Sequence, residues 1–432
     1  NATLCVALGY ECVCSCVEAA SDSLTSYVGG AEDSKPSEVH FLGMSFGLSE
    51  WLALKERITC QASNGRWTRD PTLARNAYPR NFYAQAPCEK STWENGVCAP
   101  LFEGNVLDYN WEVSGKCPDQ ELLPFSRLAF CEMMELSGGG IAFIGDSMTS
   151  LFAKTMLNSF WRELGTCDRD LTCMVDAEPF LCGLPCLLGR NLEIQTVRSD
   201  RLLLRSAGSS RLRGNKFRDN DFVQLFVGGS RRPSLVVMNR GAKYEPTEKV
   251  LHDLNSTLTF LFCQNPKVSV VWWGAVTGHE SPHDNFFKPP GEEFVPSSSR
   301  ISQAYHWEEI LEQSTDVNNY LRSAFPQVLY LDVQTSTALR RDGHSDYLHY
   351  CMPGPVDNWV LLLFNALKII ATEGGHPVLL QSGINKTAAL GERRPVGDLG
   401  DELSQDKNAH ETRRSRLHSR VAKARRNRGP PL

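Results

Sequence analysis

Short, wholly apolar runs alternate with amphipathic stretches from about residue 138 onward. Runs of this length that are apolar throughout are typical of buried strands. The pattern predicts four such strands, in residues 140–146 (GIAFIGD), 233–241 (PSLVVMNRG), 267–275 (KVSVVWWGA) and 327–333 (QVLYLDV). Because such strands must be covered on both faces, they favour a parallel sheet between two layers of helices.

Three stretches carry apolar residues at the spacing of one helical face. They are residues 149–164, 246–262 and 355–370, and the last begins with Pro355, a residue favoured at the first helical position. Residues 165–230 show no such period and carry several cysteines, so we expect an irregular insertion there. The predicted fold class is α/β, a three-layer sandwich around a central parallel sheet.

The composition is that of an ordinary soluble globular protein, since 41% of the 432 residues are hydrophobic and 22% are charged. The net charge of −5 gives no general attraction to nucleic acid or to an anionic membrane, so we expect no nucleic-acid partner. Fifteen cysteines, many in polar surroundings, favour disulfides and an oxidising compartment. Glycosylation sequons at Asn1, Asn255 and Asn385 agree with the secretory route.

Composition also divides the chain into four parts. Residues 1–57 form an N-terminal segment, and a lost membrane anchor before it is one interpretation. Residues 58–135 are rich in cysteine, tryptophan and turn residues, which predicts a subdomain stapled by disulfides. Residues 136–375 hold the predicted sheet, and residues 376–432 form a polar to basic tail. We expect a disordered tail, with binding to an anionic polysaccharide or phospholipid as the alternative.

The sequence GDS follows the first predicted strand directly and ends in Ser147. Ligands of parallel sheets gather at the carboxyl ends of the strands. A serine there, at the start of a helix, can attack a carbonyl, while nearby backbone N–H groups hold the resulting oxyanion. Serine is also a favoured helix N-cap. Nucleophile and N-cap are both open on this motif alone.

A serine nucleophile needs a base and a group that orients the base. Asp346 and His349 lie three residues apart before the last predicted helix, a spacing that lets the carboxylate bond one imidazole nitrogen. Asp342 and His344 form a competing pair, but at a spacing of two they are less well placed. An Asp and a His on a polar loop are otherwise simply solvated.

A third motif, NRG, follows the second predicted strand with Asn239 and Gly241. The side-chain amide of Asn239 can donate to an oxyanion, and Gly241 lets a substrate approach the backbone. The alternative is an ordinary turn, because both residue types favour turns. The three motifs in this order, each at a strand end or a helix start, are much less expected by chance than any one alone.

Together the three motifs resemble the SGNH/GDSL hydrolase superfamily, and in detail its trichome-birefringence-like branch, the PC-esterase family. The matching stretches are FIGDS (143–147), NRG (239–241) and DYLHYCMPGPVDNW (346–359). The last is similar to the family's ending Asp-x-x-His-Trp-Cys-Leu-Pro-Gly. The upstream cysteines and tryptophans resemble the family's N-terminal subdomain, so the resemblance covers roughly residues 58–373 and implies an SGNH-like sandwich.

The resemblance implies an O-acetyltransferase that moves an acetyl group onto hydroxyls of a cell-wall or extracellular polysaccharide. No cofactor or metal would be bound, and acetyl-CoA or another acetyl carrier would be the co-substrate. The expected partners are a glycan acceptor and, as an option the resemblance allows, a membrane-bound protein that supplies acetyl groups. The implied location is the Golgi lumen, as a type II membrane protein.

The resemblance also implies the roles of individual residues. Ser147 would carry the acetyl group covalently, His349 would act as the base, and Asp346 would orient His349. The other implied site residues are the oxyanion hole, made by the Ser147 backbone N–H with Asn239 and Gly241, and the supporting Gly145 and Asp146.

Cys351 lies beside the catalytic motif, and the resemblance implies that it pairs with Cys98 and so fastens the loop of His349. An inert buried thiol is the alternative for Cys351. His279 and His283 are spaced as metal ligands on a helix, but Pro282 between them disfavours the helix, so we expect no metal site.

Departures from the family pattern leave the three motifs intact. Ser150 stands where the family has an arginine, Tyr347 replaces a cysteine, and the stretch with Trp272 and Trp273 lacks the usual arginine. They indicate a divergent member and leave donor and acceptor open. A carbohydrate acetylesterase with the same triad and a catalytically silent carbohydrate-binding relative are the alternatives.

Overall fold

The structure is a computed structural model that describes residues 37–71, 108–138, 140–164, 180–185, 191–204, 219–227, 232–241, 244–280, 289–291, 300–344, 346–352 and 354–376. These residues all belong to one compact unit, Asn1–Leu379. A second unit, Leu380–Leu432, lies outside the described residues, and so does the predicted basic tail.

The first described elements are two small pairs of antiparallel strands with a helix between them in the chain. Strands β1 (Glu38–Phe41) and β2 (Met44–Gly47) pair antiparallel, and helix α1 (Leu48–Ser63) follows. Strands β3 (Gly65–Arg69) and β4 (Tyr109–Val113) form the second antiparallel pair. These elements precede the central sheet in the chain.

Six strands of the described chain form the central sheet in the order β10-β9-β8-β5-β7-β6. Every neighbouring pair is parallel except the edge pair β6 with β7. The strands are β5 (Ile141–Gly145), β6 (Phe180–Pro185), β7 (Asn191–Arg198), β8 (Leu235–Met238), β9 (Ser269–Trp273) and β10 (Leu329–Leu331). The predicted α/β class with a parallel sheet is confirmed.

Helices cover both faces of this sheet. The described helices that follow α1 in the chain are α2 (Arg127–Ser137), α3 (Ser147–Leu164), α4 (Gln224–Val227), α5 (Thr247–Gln264), α6 (Arg300–Tyr305), α7 (Trp307–Ala324), α8 (Gln334–Ala338) and α9 (Pro355–Glu373). The three predicted helices correspond to α3, α5 and α9. A short 3₁₀ turn, Arg341–Gly343, lies between α8 and α9.

The strands are buried on both faces because each face has its own apolar core. In β5, Ile141 and Phe143 pack with α1, α2, α3 and α9 on one face. Ala142 and Ile144 point to the other face, where they pack with α5 and α7. This three-layer arrangement explains why the strand sequence is apolar at every position.

The expectation of an irregular insertion in residues 165–230 is wrong in one respect, because β7 lies inside the sheet beside β5. Its sequence NLEIQTVR has buried Leu192 and Ile194 alternating with the half-exposed Glu193 and Gln195. Thr196 and Val197, further along the strand, are both buried. Glu193 and Gln195 therefore interrupt the uniformly apolar pattern by which the central strands were predicted.

The N-terminal subdomain does contain a disulfide staple. Cys60 at the end of α1 is bonded to Cys117 after β4, with the Cα atoms 5.6 Å apart. Trp111 on β4 is buried against this bond, and its indole N–H donates to Gln61 O at 3.0 Å. The disulfide and the tryptophan thus provide a small core of their own.

The position of Asn255 in the structure does not support glycosylation at this sequon. Asn255 lies within α5, is only 7% exposed, and its side-chain oxygen accepts a hydrogen bond from the Tyr320 hydroxyl at 2.7 Å. A glycan has no room at this position in the folded chain. The sequons at Asn1 and Asn385 lie outside the described residues. Among the described helices, none combines the length and the apolar character that a bilayer crossing needs.

Candidate active site

Asp146, not Ser147, caps the helix that follows β5. Its carboxylate Oδ1 accepts hydrogen bonds from Met148 N at 2.9 Å and from Thr149 N at 3.4 Å. Asp146 is 2% exposed, so this cap is buried. Ser147 is the first helical residue, and its hydroxyl is not used to cap the helix. The N-cap of this helix is therefore Asp146, and the N-cap interpretation of Ser147 is wrong.

Gly145 fits this corner because two chain segments approach it closely. A Cβ atom on Gly145 would lie 2.3 Å from Thr149 Oγ1 and 2.5 Å from Asn239 O. Any side chain would push the end of β5 away from α3 and from the NRG loop. The glycine therefore lets the strand deliver Ser147 next to the end of β8.

Ser147, His349 and Asp346 form a continuous row of hydrogen bonds. Ser147 Oγ lies 2.9 Å from His349 Nε2, and His349 Nδ1 lies 2.7 Å from Asp346 Oδ2. A carboxylate only accepts, so Nδ1 carries the imidazole proton and Nε2 presents a lone pair to the serine hydroxyl. This is the tautomer that removes a proton from a nucleophilic serine.

The hydrogen bonds around Asp346 keep it ionised. Burial favours a raised pKa, but the side chain and the backbone N–H of His349, with Leu348 N, outweigh it and lower the pKa of Asp346 to about 2. The two backbone bonds to Oδ1 are 2.6 Å from His349 N and 2.7 Å from Leu348 N. The Asp346 carboxylate therefore stabilises the turn through Oδ1 and orients the His349 imidazole through Oδ2.

The turn that carries these two residues is closed at its base. Cys351 N donates to Gly343 O at 2.7 Å, and His344 forms an antiparallel bridge with Tyr350. Cys351 takes part in a disulfide. The expected partner, Cys98, lies outside the described residues, so the pairing of these two stays a prediction.

The NRG loop lies next to the serine at the carboxyl end of β8. Asn239 is 1% exposed, and its amide Nδ2 donates one hydrogen to Trp273 O at 2.7 Å, which fixes its orientation. An amide nitrogen carries two hydrogens, and this bond uses one of them. A Cβ on Gly241 would lie 2.3 Å from Ala275 Cβ, so only glycine fits there.

Arg240, between these two residues, anchors the loop, and sequence reasoning gave it no role. Its side chain is 2% exposed and donates to Asp253 at 2.6 Å, to Arg201 O at 3.1 Å and to Glu245. Asp253 lies on α5, so the NRG loop is tied to the helix that follows it. The partners are distributed over the chain, and no local motif signals the contact.

The competing pair, Asp342 and His344, does not reach Ser147. Asp342 is fully buried and accepts from Arg340 Nε at 2.8 Å and from Arg340 Nη2 at 3.0 Å. His344 is also fully buried and is hydrogen-bonded to His279 at 2.7 Å. Within the described residues, no cluster of three or more His, Cys, Asp or Glu side chains could hold a metal ion. His283, of the weighed metal pair, lies outside them.

No family model matches this chain. Solved structures that share part of the arrangement include a candidate platelet activating factor from Streptococcus pneumonia, with 15% identity, 56% of this chain and 91% of that chain covered, and a TM-score of 0.28. A family two carbohydrate esterase from Clostridium thermocellum has 12% identity, coverages of 55% and 64%, and a TM-score of 0.28.

The salicylyl-acyltransferase SsfX3 from a tetracycline biosynthetic pathway is a third similar structure. It has 16% identity, covers 43% of this chain and 47% of its own, and has a TM-score of 0.25. At such TM-scores these likenesses decide nothing about the activity of this chain. What the site can do chemically follows from its own geometry.

Proposed function

We propose that this protein is a serine-dependent O-acetyltransferase that acetylates hydroxyls of a polysaccharide through an acetyl-Ser147 intermediate. The observation that carries the proposal is the hydrogen-bonded row from Asp346 through His349 to Ser147, placed at the first residue of α3. The acceptor class is taken from the resemblance of the three motifs to the trichome-birefringence-like family.

In the first half of the reaction, Ser147 Oγ attacks the carbonyl carbon of the acetyl donor while His349 Nε2 takes the hydroxyl proton. The oxyanion of the tetrahedral intermediate lies toward the backbone N–H of Ser147, the backbone N–H of Gly241 and the side-chain amide of Asn239. The C–O or C–S bond to the carrier then breaks, and His349 protonates the departing group. Asp346 stabilises the imidazolium that forms between these steps.

In the second half, a sugar hydroxyl attacks the acetyl carbonyl of the ester on Ser147. His349 Nε2 takes the proton of that hydroxyl and returns it to Ser147 Oγ when the enzyme ester breaks. The product is a sugar acetate, and the enzyme regains its starting protonation. Acetyl-CoA or another acetyl carrier supplies the acetyl group as co-substrate, and no metal takes part in either half.

Hydrolysis of a sugar acetate is the second candidate, and the exposure of the triad favours it. The Asp346 side chain is 54% exposed and that of His349 is 31% exposed, so water has access to the acyl-enzyme. The same Ser147 ester serves both reactions, and only the second nucleophile differs. An acceptor that covers the loop of His349 would exclude this water.

A fluorophosphonate probe tests the nucleophile. We expect one covalent adduct that peptide mapping assigns to Ser147 and that Ser147→Ala abolishes. Ser150→Ala, one turn further along the same helix, is the matched control and should label at the parental rate. Labelling at another residue, or undiminished labelling of Ser147→Ala, would reject the serine mechanism.

Product analysis then separates transfer from hydrolysis. The purified protein is incubated with p-nitrophenyl acetate or acetyl-CoA and a panel of xylan, mannan and pectin oligosaccharides. Mass spectrometry of acetylated oligosaccharide supports the transferase, whereas free acetate at an acceptor-independent rate supports the esterase. Neither product, with Ser147 still labelled, would point to a different acyl group or acceptor.

We further propose that the protein works in the lumen of the secretory pathway, with the Golgi as the expected compartment. The Cys60–Cys117 disulfide supports an oxidising environment. The proposed partners are the glycan acceptor and a membrane-bound protein that supplies acetyl groups. Microscopy of a tagged full-length protein, with organelle markers, tests the location, and a cytosolic signal would overturn it.

A further inference from the structure

The fully buried His344 and the partly buried His279 lie next to the loop that carries Asp346 and His349. His279 Nδ1 is 2.7 Å from His344 Nε2, and the two ring centroids are 4.8 Å apart. His279 Nε2 lies 2.8 Å from Ala338 O. We call His279 and His344 the imidazole pair. Neither ring takes a proton or holds a substrate in the mechanism proposed for Ser147.

The hydrogen bonds fix the tautomer of each ring. Ala338 O can only accept, so His279 Nε2 carries a proton. A neutral imidazole has one N–H, hence His279 Nδ1 accepts and His344 Nε2 donates. Burial, as the largest effect, lowers the pKa of His279 to about 4 and that of His344 well below its usual value. The chain of bonds from Ala338 to His344 is therefore neutral near pH 7.

The imidazole pair contacts the catalytic loop at several points. The backbone N–H of His279 donates to Tyr347 O at 3.0 Å, between Asp346 and His349 in the chain. His344 forms an antiparallel bridge with Tyr350 at the base of the same loop. His279 therefore contacts the loop at Tyr347, and His344 contacts it at Tyr350.

Tyr350, directly after His349 in the chain, also contacts the segment that carries His279. Its ring lies against His344 with the centroids 3.8 Å apart. Its hydroxyl donates to Thr277 O at 2.9 Å, in the same segment after β9 that carries His279. The residues on both sides of the Asp346–His349 turn are therefore tied to residues 277–279.

Gly278 allows this close approach of the two segments. A Cβ at Gly278 would lie 2.0 Å from Tyr347 O and 2.4 Å from the Trp307 ring. A side chain there would separate the segment after β9 from the catalytic loop. The glycine lets His279 insert its ring under the loop while its backbone pairs with Tyr347.

We propose that His279 and His344 are positioning residues that hold the Asp346–His349 turn so that His349 Nε2 meets Ser147 Oγ. This inference rests on the proposed function of Ser147. Two rigid rings joined by a short hydrogen bond fix a distance more tightly than flexible side chains, because few rotatable bonds remain. An offset of about 1 Å at a reacting group can cost about 100-fold in rate.

The central test compares His344→Phe with His344→Gln. Phenylalanine keeps a ring against Tyr350 but cannot donate to His279, whereas the glutamine amide can donate in place of Nε2. With p-nitrophenyl acetate as the probe, we expect His344→Phe to lower kcat by about 10- to 100-fold at unchanged KM. We expect His344→Gln to recover much of that loss, and His279→Phe to behave like His344→Phe.

Leu258→Ala is the matched control for lost stability. Leu258 is fully buried on α5 at the other face of the sheet, so its truncation destabilises the fold without contacting the loop. Per folded molecule, we expect Leu258→Ala to keep the parental kcat. Equal kcat in Leu258→Ala and His344→Phe after correction for the folded fraction would reduce the pair to a purely structural role and overturn the proposal.

Imidazole NMR gives an independent readout on the full-length protein. We expect ¹⁵N shifts that place the proton on Nε2 in both members of the imidazole pair. We also expect the downfield proton between His349 Nδ1 and Asp346 to shift or broaden in His344→Phe and to stay unchanged in Leu258→Ala. The opposite tautomers, or an unmoved downfield proton in His344→Phe, would overturn the proposal.

Failure of this inference is distinguishable from failure of the proposed function. If Ser147→Ala keeps the parental rate, the proposed serine mechanism fails whatever the histidine variants do. If Ser147→Ala abolishes the rate and His344→Phe leaves it within about twofold of the parent, only the positioning role fails.

Discussion

His349 Nε2 lies 2.9 Å from Ser147 Oγ although the two residues are 202 positions apart in the chain. Ser147 begins the helix after β5, and His349 lies in the turn before α9. The two side chains meet because both residues lie at the carboxyl edge of the same parallel sheet, where the ends of the strands come together. Motifs at strand ends were therefore the informative part of the sequence.

The first prediction concerns the start of α3, where Asp146 caps the helix and Ser147 does not. Because Asp146 makes the cap bonds, Asp146→Ala should lower the free energy of unfolding by about 1 kcal/mol or more. Ser147→Ala should change it by only a few tenths of a kcal/mol, since no cap is lost. Urea denaturation of the two variants measures both effects, with Asp146→Asn as the variant that keeps an accepting oxygen.

Loss of activity should follow the opposite order, with Ser147→Ala affected more than a substitution of Asp146. Ser147→Ala should lower kcat by at least about 1,000-fold because no acyl-enzyme can form. Asp146→Asn should keep most of the activity if its role is to cap the helix. A stable, fully active Ser147→Ala protein would contradict the assignment of the nucleophile.

Asp346 gives a prediction for activity and for stability in acid. Asp346→Asn removes the acceptor that selects the imidazole tautomer and should lower kcat by about 10,000-fold. The pKa of Asp346 falls from 3.8 to about 2 on folding, so the ionised form stabilises the native state above pH 3.8. That contribution should disappear as the pH falls toward 2.

Unfolding measured between pH 2 and pH 5 tests this linkage. The parent should lose stability more steeply with acid than Asp346→Asn, because the unfolded chain takes up a proton that the folded chain resists. Asp316→Asn, an exposed carboxylate on α7, is the control and should keep the parental slope. Equal slopes in parent and Asp346→Asn would show that the carboxylate is not held ionised in solution.

The residues of the hydrogen-bonded row, Ser147, His349 and Asp346, could be predicted from the sequence, and the residues that support them could not. Ser147, Asn239 and His349 each follow a strand end or precede a helix, and these boundaries are visible in the hydrophobic pattern. His279 and His344 are hydrogen-bonded at a separation of 65 residues, and nothing local to either histidine signals the other. Strand β7 was missed for a different reason, since the polar Glu193 and Gln195 interrupt its apolar pattern.

Arg240 is another supporting residue that the local sequence does not signal, and it gives a further prediction. Its guanidinium is almost fully buried between Asp253 and Glu245. Arg240→Ala leaves both carboxylates without this cation and should cost about 3–5 kcal/mol in the free energy of unfolding. Because the loop also carries Asn239 and Gly241, kcat should fall more than KM rises.

Arg240→Lys separates charge from geometry at this site. Lysine keeps the positive charge but cannot span both carboxylates and Arg201 O with one planar group. We expect an intermediate stability and a kcat closer to that of Arg240→Ala. A lysine variant with parental kcat would show that the charge alone organises the loop.

The disulfide of the N-terminal subdomain connects to the catalytic loop through tryptophan. Trp67 on β3 donates from its indole nitrogen to Ser336 O at 2.8 Å, and the Arg340 guanidinium lies 4.4 Å from the Trp67 ring centroid. Arg340 in turn holds Asp342, just before the turn of Asp346 and His349. The strand pair β3–β4, next to the disulfide, therefore contacts the segment that leads to Asp346 and His349.

Loss of this disulfide should accordingly affect both stability and rate. With a sequence separation of 57 residues, Cys60→Ser/Cys117→Ser should lower the free energy of unfolding by up to about 4 kcal/mol. Trp67→Leu, which keeps the disulfide but loses the indole donor and the contact with the cation, should lower kcat with a smaller stability loss. Parallel urea unfolding and p-nitrophenyl acetate assays measure the two effects. Parental kcat in Trp67→Leu would show that the strand pair β3–β4 stabilises the fold without supporting the triad.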